Sequence, residues 1–167
     1  MPGIIQSPHA TLRSIAKEVS ASEIKSKEIK DVVEKMKELL HGEDDGVAIA
    51  APQIDVPLRI FVVSKRALPK ALEDMVFINP VITKLGKKKE MVSEGCLSVR
   101  WKYGMVKRSL TATVRATNME GNEFVMSGKG LLAQIFQHET DHLNGVLFID
   151  KAVDVEDLPP NKEAPTK

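Results

Sequence analysis

The residues from His138 to His142 have the types and the spacing of a metal-binding motif. Their sequence, HETDH, places two histidines four positions apart, and side chains at this spacing share one face of an α-helix. Both imidazole rings can therefore offer a nitrogen to one metal ion. Glu139 lies about 100° around the helix from His138, where it can reach a metal-bound water as a general base. The pattern also occurs in unrelated helices, whose histidines are ordinary surface or core residues.

The single cysteine of the chain, Cys96, is the candidate for a third metal ligand. It lies in the sequence EGCLS at 94–98, where Gly95 allows close approach of the backbone. Three protein ligands with a fourth position left open are typical of a catalytic metal site. The other two histidines, His9 and His41, have no motif around them. The alternative is that Cys96 is a small hydrophobic residue of the core.

The elements that must position these residues follow from the spacing of apolar residues. Helical spacing from Ser22 to Leu40 predicts an amphipathic helix that ends near Gly42. Beyond it, short runs rich in β-forming residues predict strands, and turn residues separate them. The runs quoted are 59–63, 75–78 and 111–116, and the turns include 79–80, 85–86 and 120–122.

A second helix, from Gly130 to about Leu143, carries the HETDH sequence. Strands in a row followed by one late helix predict an α+β protein with an N-terminal amphipathic helix. We expect a single domain over residues 1–154. The polar, proline-rich segment 155–167 is expected to be a flexible tail.

The composition excludes several classes of protein. The chain has 167 residues, with 24 Lys and Arg against 23 Asp and Glu, and 43% of it is apolar. The apolar fraction is that of a folded protein. The near-zero net charge argues against a main role in binding nucleic acid or anionic membranes. One cysteine allows no internal disulfide. Without a secretory signal or a membrane-length apolar run, we expect a cytoplasmic protein.

Three motifs in order resemble those of the peptide deformylase family. They are GVAIAAPQ at 46–53, EGCLS at 94–98 and QHETDHL at 137–143. The resemblance covers roughly residues 4–150, and three spaced motifs are far more specific than one. It implies β-sheets, antiparallel or mixed, around a central helix that carries HETDH.

The resemblance implies removal of the formyl group from the N-terminal formylmethionine of new polypeptides. Hydrolysis would proceed through a metal-bound water, with Cys96, His138 and His142 as ligands and Glu139 as the general base. One divalent ion per chain is expected. Ferrous iron is the expected native ion, and zinc, nickel or cobalt can replace it, because a thiolate ligand suits these ions better than magnesium or calcium.

The resemblance also assigns residues to the oxyanion and to the substrate. The side-chain amide of Gln53 and the backbone N–H of Leu97 would stabilise the developing negative charge. Two further groups would bind the peptide, one as the apolar wall of the methionine pocket and one as an edge on which the peptide docks like an added strand. The wall is Val47, Leu131 and Ile135, which plain core packing would also explain, and the edge is Gly46, Ala48 and Gly95.

Two segments depart from the family pattern. Ala48 replaces the second glycine of the first motif, which matters if that position needs a positive φ. Arg100 and Trp101 stand where the family commonly has proline and the residue after it, so the rim of the substrate site is in doubt. The resemblance further implies an ion pair between Glu94 and Arg108.

Two other functions remain open from the sequence. One is a small H-E-x-x-H peptidase, which would cleave internal peptide bonds without needing Cys96. The other is a catalytically impaired homologue that keeps the metal. For the main interpretation the partners are N-formylmethionyl nascent peptides, met in a transient encounter with the ribosome. Neither specific nucleic-acid binding nor membrane association is expected.

Overall fold

The computed structural model describes residues 3–160, which form two α-helices and eight strands. The helices are α1 (Lys27–His41) and α2 (Leu131–Leu143). The strands are β1 (Ala48–Ala50), β2 (Ile60–Val63), β3 (Met75–Leu85), β4 (Lys89–Gly95), β5 (Lys102–Ser109), β6 (Thr111–Thr117), β7 (Glu123–Lys129) and β8 (Val153–Asp157).

The strands form two sheets. The larger has the order β1-β2-β3-β6-β7, and the smaller has the order β4-β5-β8. Every pairing within these sheets is antiparallel. The α+β class is therefore confirmed, as are the strands predicted at 59–63, 75–78 and 111–116 and the helix that carries HETDH.

Strand β2 of the larger sheet is buried on both faces, and its residues alternate between two cores. Ile60 and Val62 belong to the core formed with α1, whereas Phe61 and Val63 belong to the core formed with α2. Because successive residues of a strand point to opposite faces, the four-residue apolar run of β2 can serve both cores. Helix α2 also contacts β5, so it lies between the two sheets.

Helix α1 starts later than the apolar spacing predicts. Ser26, not Ser22, precedes the first helical turn, and its hydroxyl accepts a hydrogen bond from the backbone N–H of Ile29 at 3.2 Å. Such a serine cap satisfies an N–H that the helix itself cannot. The residues before it form turns instead, although Ile24 is buried there. The C-terminal end is as predicted, with Gly42 after the last helical residue.

The predicted turn at Asn79-Pro80 is wrong, because both residues lie inside β3. The register of β3 against β6 shifts between Ile78 and Val81, and Asn79 has a φ of 51°. A bulge of this kind lets one strand continue past an irregular residue. The Asn79 side chain bonds both the N–H and the carbonyl of Val19 at 2.8 Å, which stabilises the unusual conformation.

The boundary predicted at residue 154 falls within β8. Residues 155–157 pair with β5, in a register that joins Tyr103 to Glu156 and Lys102 to Asp157. Residues 161–167 of the expected tail lie outside the described residues. Among residues 3–160, neither α-helix combines the length and apolar character that crossing a bilayer requires.

Candidate metal centre

Three side chains from two distant parts of the chain converge at one point. Cys96 follows β4, and His138 and His142 lie on successive turns of α2. One potential ligand atom from each residue lies within 4.8 Å of the other two. The Sγ of Cys96 is 3.2 Å from the Nε2 of His142. The two imidazole rings meet edge to face with centroids 4.9 Å apart.

A buried ion-pair network fixes the ring of His138. Its Nδ1 is 2.5 Å from a carboxylate oxygen of Glu94, which leaves Nε2 for the cluster. Arg108 holds the same carboxylate through two hydrogen bonds of 2.9 and 3.1 Å, so the predicted Glu94–Arg108 ion pair is confirmed. Arg108 also binds Asp141 of α2 at 2.8 Å. A carboxylate behind a metal-binding histidine is a common way to set its orientation.

The charges of this network act differently on the two histidines. Burial lowers the pKa of His138, but its hydrogen bonds with Cys96 and Glu94 outweigh burial and hold that pKa well above its ordinary value. Burial also lowers the pKa of His142, and the charges of His138 and Arg108 lower it further. Burial raises the pKa of Glu94, yet His138 and Arg108 bring it below its ordinary value.

Gln137 anchors α2 to β5 beside the cluster. Its side-chain amide accepts from the N–H of Ser109 at 3.0 Å and donates to the Ser109 carbonyl at 2.9 Å. A buried amide with both ends bonded to one residue fixes the helix against the strand. Neither Gln137 nor Asp141 was predicted to be a site residue from the sequence, although both lie inside the third motif.

Glu139 lies beside the cluster with one oxygen free. It is 3% exposed, and its Oε2 has no hydrogen-bond partner among residues 3–160. Burial raises its pKa to about 7, the nearby positive His138 opposes that rise, and the negative Glu94 adds to it. A carboxyl group whose pKa lies near neutrality can both take and return a proton at physiological pH.

Gln53 and Ser98 contact the sulfur of the cluster. The Oε1 of Gln53 accepts from the N–H of Ala50 at 2.9 Å, and Nε2 donates to Ser98 at 3.1 Å and lies 3.7 Å from the Sγ of Cys96. The amide nitrogen therefore faces the cluster. The backbone N–H of Ser98 points at the same sulfur from 3.4 Å. Ser98 was not predicted to be a site residue, although it lies in the second motif.

A cavity of about 400 Å³ opens onto the cluster. All the residues expected to contact substrate line it, and Leu131 is the most open of them at 51% exposed. These lining residues are Gly46, Val47, Ala48, Gly95, Leu131 and Ile135. The cavity is also lined by Gln53, Cys96, Leu97, His138 and Glu139. The cavity, or cleft, thus has an apolar wall on which a side chain can pack, beside the titratable groups Cys96, His138 and Glu139.

The alanine that replaces a glycine in the first motif is accommodated without strain. Ala48 lies in β1, paired with Val63, and does not have a positive φ. Gly95 is different, because a Cβ atom built on it would lie 2.7 Å from the Cε1 of Tyr103. The second motif therefore needs its glycine for space, whereas the first tolerates a methyl group at Ala48.

The donor set of the cluster fits a divalent transition metal. In a tetrahedral site with ordinary bond lengths, a sulfur and a nitrogen ligand lie about 3.6 Å apart, close to the Cys96–His142 separation. The raised pKa of His138 indicates that positive charge is favoured beside Cys96 and Glu94, and a bound cation can supply that charge instead of a proton. One thiolate with two imidazoles suits iron, zinc, nickel and cobalt.

Comparisons with known proteins show to which family the chain is similar. The family model described as polypeptide deformylase matches residues 1–157. The chain is 38% identical over 148 residues to a peptide deformylase of Rhodopirellula baltica, covering 89% of this chain and 71% of that protein. It is 45% identical over 123 residues to peptide deformylase 1 of Clostridium perfringens, covering 73% and 80%.

A solved structure gives the same result for the fold. The class I type b peptide deformylase of Acinetobacter baumannii, bound to Met-Ala-Ser, superposes with a TM-score of 0.82 at 31% identity, covering 90% of this chain and 98% of that one. The chain therefore belongs to the peptide deformylase family, whose metal-dependent members remove the N-terminal formyl group from new polypeptides.

Proposed function

We propose that Cys96, His138 and His142 bind the metal ion with which this chain removes formyl groups. The observation that carries the proposal is the convergence of their three ligand atoms within 4.8 Å, with the cavity at one side. The family assignment favours deformylation over a general peptidase and over a homologue that has lost activity.

The native ion in this proposal is ferrous iron, one per chain, with zinc, nickel or cobalt able to replace it. A soft thiolate and two borderline imidazoles support this group of ions over magnesium or calcium. When bound, the ion supplies Lewis acidity, which increases the acidity of water and polarises the formyl carbonyl.

Glu139 is the proton carrier of the proposed reaction. Its free Oε2 would take a proton from the attacking water and then give it to the amine that leaves. A pKa of about 7 suits both steps. The buried position of the carboxyl group also excludes bulk water, which would otherwise compete for the proton.

Gln53 and Leu97 are proposed to stabilise the negative charge that develops on the formyl oxygen. The Gln53 amide is held in place by Ala50 and Ser98, so that its N–H groups need no reorientation during the reaction. The backbone N–H of Leu97 makes no hydrogen bond to another residue of 3–160 and is free to donate. Donors that are already oriented contribute about 10²–10³ each to the rate.

The peptide is proposed to lie between the two sheets. β1 and β4 are edge strands of the two sheets. Residues Gly46–Ala48, at the start of β1, and Gly95, at the end of β4, line the cavity. An unpaired strand edge can bind an extended peptide through backbone hydrogen bonds. Val47, Leu131 and Ile135 then form the apolar wall for the methionine side chain. The formyl carbon carries a hydrogen atom where the carbonyl carbon of an internal peptide bond carries the rest of the chain. A narrow site can therefore admit the formyl group and exclude internal peptide bonds.

The cellular setting is also part of the proposal. We infer that the substrates are formylmethionyl nascent peptides met in a transient encounter with the ribosome in the cytoplasm. The absence of specific nucleic-acid or membrane binding stays a prediction.

One assay tests the function directly. Protein loaded with ferrous iron under anaerobic conditions is incubated with formyl-Met-Ala-Ser and with acetyl-Met-Ala-Ser. We expect formate from the first peptide and no turnover of the second, because a methyl group would not fit where the formyl hydrogen lies. Cleavage after the methionine would instead support the peptidase, and no reaction with either peptide would support the inactive homologue.

A further inference from the structure

An arginine joins the two walls of the cavity at its mouth. Arg100 follows the EGCLS sequence, and its guanidinium group binds both Glu43 and Asp45 on the loop before β1. Two of the Arg100–Asp45 hydrogen bonds are 3.0 and 3.3 Å long. The arginine side chain is only 18% exposed. A planar guanidinium group bound to two carboxylates forms a directional contact that lysine cannot reproduce.

The arginine is itself fixed on its own side of the cleft. Its backbone N–H donates to the side chain of Gln6 at 3.2 Å. Its guanidinium carbon lies 4.7 Å from the centre of the Trp101 ring, at the distance of a cation–π contact. Trp101 has a φ of 68°, a left-handed conformation that is strained for a tryptophan. The contact with Arg100 therefore lies in a turn that holds Trp101 in a backbone conformation that tryptophan does not prefer.

A second arginine holds the backbone of the same acidic loop. Arg66 donates to the carbonyl groups of Asp44 at 3.1 Å, Glu43 at 3.2 Å and Gly46 at 2.6 Å. It makes no ion pair with Glu43 or Asp45 among the residues that the structure describes. Arg66 thus fixes the path of the loop, whereas Arg100 forms the ion pairs with Glu43 and Asp45.

These contacts lie on the wall of the cavity itself. Asp45, Arg100 and Trp101 line the same cavity as Cys96 and Glu139. The nearby Lys102 also lines it, but its charge is balanced by Asp157 at 2.7 Å. If Arg100 were removed, Glu43 and Asp45 would leave uncompensated negative charge at the mouth.

We propose that Arg100 sets the charge specificity of the cleft. It holds the cleft walls together and cancels the negative charge of Glu43 and Asp45. Peptides with an acidic residue after the methionine are therefore accepted as readily as peptides with a basic one. This inference rests on the proposed function, because it assigns the mouth of the cleft to the residues that follow formylmethionine. Arg100 is a positioning residue in this scheme and takes no part in the chemical step.

The test compares three substrates that differ only in charge: formyl-Met-Ala-Ser, formyl-Met-Asp-Ser and formyl-Met-Lys-Ser. The variants are Arg100→Gln, Arg100→Lys and a triple variant that adds Glu43→Gln and Asp45→Asn to Arg100→Gln. Arg115→Gln is the matched control, since Arg115 forms an exposed ion pair with Glu123 on the far strands β6 and β7. Binding of the unformylated peptides is measured in parallel by calorimetry, which does not depend on turnover.

For Arg100→Gln we expect the KM ratio of the acidic to the basic peptide to rise about threefold to tenfold, with a smaller change in kcat. The rise should shrink in about 1 M salt, where screening acts over roughly 3 Å. The triple variant should return this ratio to that of the wild type while KM stays raised for all three peptides. Arg100→Lys should keep the wild-type ratio but raise KM, because it keeps the charge and loses the paired hydrogen bonds. Arg115→Gln should change neither.

The proposal is overturned if Arg100→Gln leaves the acidic-to-basic ratio unchanged in both KM and calorimetric affinity. A uniform loss of activity with a lower melting temperature would indicate a merely structural role and would also overturn it. If the wild type releases no formate from any peptide, the proposed function has failed, and the calorimetric ratio still decides the role of Arg100.

Discussion

The Nδ1 atom of His138 lies 2.5 Å from the Oε1 atom of Glu94, and this contact joins helix α2 to strand β4 inside the protein. Glu94 is 5% exposed and Arg108 is 4% exposed, so the charges that orient the histidine are almost entirely removed from water. A buried charge that has lost its partner is strongly destabilising. The orientation of His138 and the stability of the fold therefore depend on the same carboxylate.

Glu94→Gln should weaken both metal binding and folding. The amide oxygen can still accept a hydrogen bond from His138, but it carries no charge to strengthen that bond or to neutralise Arg108, so we expect about a tenfold to hundredfold loss of metal affinity and a loss of about 3 kcal/mol in stability. Metal titration and urea denaturation measure the two effects. Glu123→Gln, in an exposed ion pair with Arg115, is the control and should change stability by less than about 1 kcal/mol. Unchanged metal affinity in Glu94→Gln would contradict the orienting role.

Glu139→Ala should separate metal binding from catalysis. The carboxylate does not belong to the ligand cluster, so metal content should remain near one ion per chain. Turnover should fall by about 10²–10⁴, the usual contribution of a general base. Metal analysis and formate release on the same preparation give both values. Unchanged turnover would show that another group takes the proton.

Cys96→Ala should lose the metal after dialysis. Removing the thiolate leaves two imidazole ligands, which hold a divalent ion weakly. Cys96→Ser keeps an oxygen donor of similar size and should retain part of the metal with altered affinity. Metal analysis after dialysis compares the two variants. Full retention in Cys96→Ala would refute ligation by the cysteine.

Gly95→Ala should destabilise the end of β4, next to the cluster. The added methyl group would lie 2.7 Å from the ring of Tyr103, which must then move. Overpacking of this kind costs about 1–3 kcal/mol. Gly3→Ala is a matched control, because no atom lies within 4 Å of its added methyl group. If the clash is the cause, adding Tyr103→Leu to Gly95→Ala should recover part of the lost melting temperature.

Asp150→Asn should change the acid stability of the chain. A hydrogen bond from Arg13 holds the pKa of Asp150 below its ordinary value, although burial acts in the opposite direction. A lowered folded-state pKa means that the stabilisation is present above pH 4 and is lost as the pH falls through that pKa. The pair is exposed, so we expect less than about 1 kcal/mol at pH 7.

Urea denaturation of both proteins from pH 7 to pH 2 checks this prediction. The difference between them should disappear at the acidic end, and Arg13→Gln should show the same convergence. Asparagine can still accept the hydrogen bond from the N–H of Leu147, so loss of that contact is not the cause. A stability difference that persists at pH 2 would contradict the assignment.

The sequence predicted the elements that bury their own apolar side chains and missed those held only by backbone contacts. Helix α2 and strand β2 are buried by their own apolar residues, so their patterns are visible. Strand β8 is exposed along its whole length and forms only because its backbone pairs with β5. Its Val-Asp-Val-Glu-Asp sequence carries no sign of that partner.

The candidate site shows a similar division. Spacing within one helix was enough to bring His138 and His142 together, and the motifs supplied the hypothesis for Cys96. The hydrogen bonds between Gln137 and Ser109 join residues 28 positions apart, and those between Arg108 and Asp141 join residues 33 apart. Only the packed fold creates these contacts, so periodicity could not predict them.

The convergence of Cys96 and His142 has a consequence for the unfolded chain. A metal ion held by both residues would cross-link positions 46 apart in the sequence, as a disulfide does. A covalent bridge closing a loop of that size removes enough chain entropy to stabilise a protein by about 4 kcal/mol. The chain cannot form an internal disulfide, since it has one cysteine. Its single thiol can still take part in a cross-link, which exists only while the metal ion is bound.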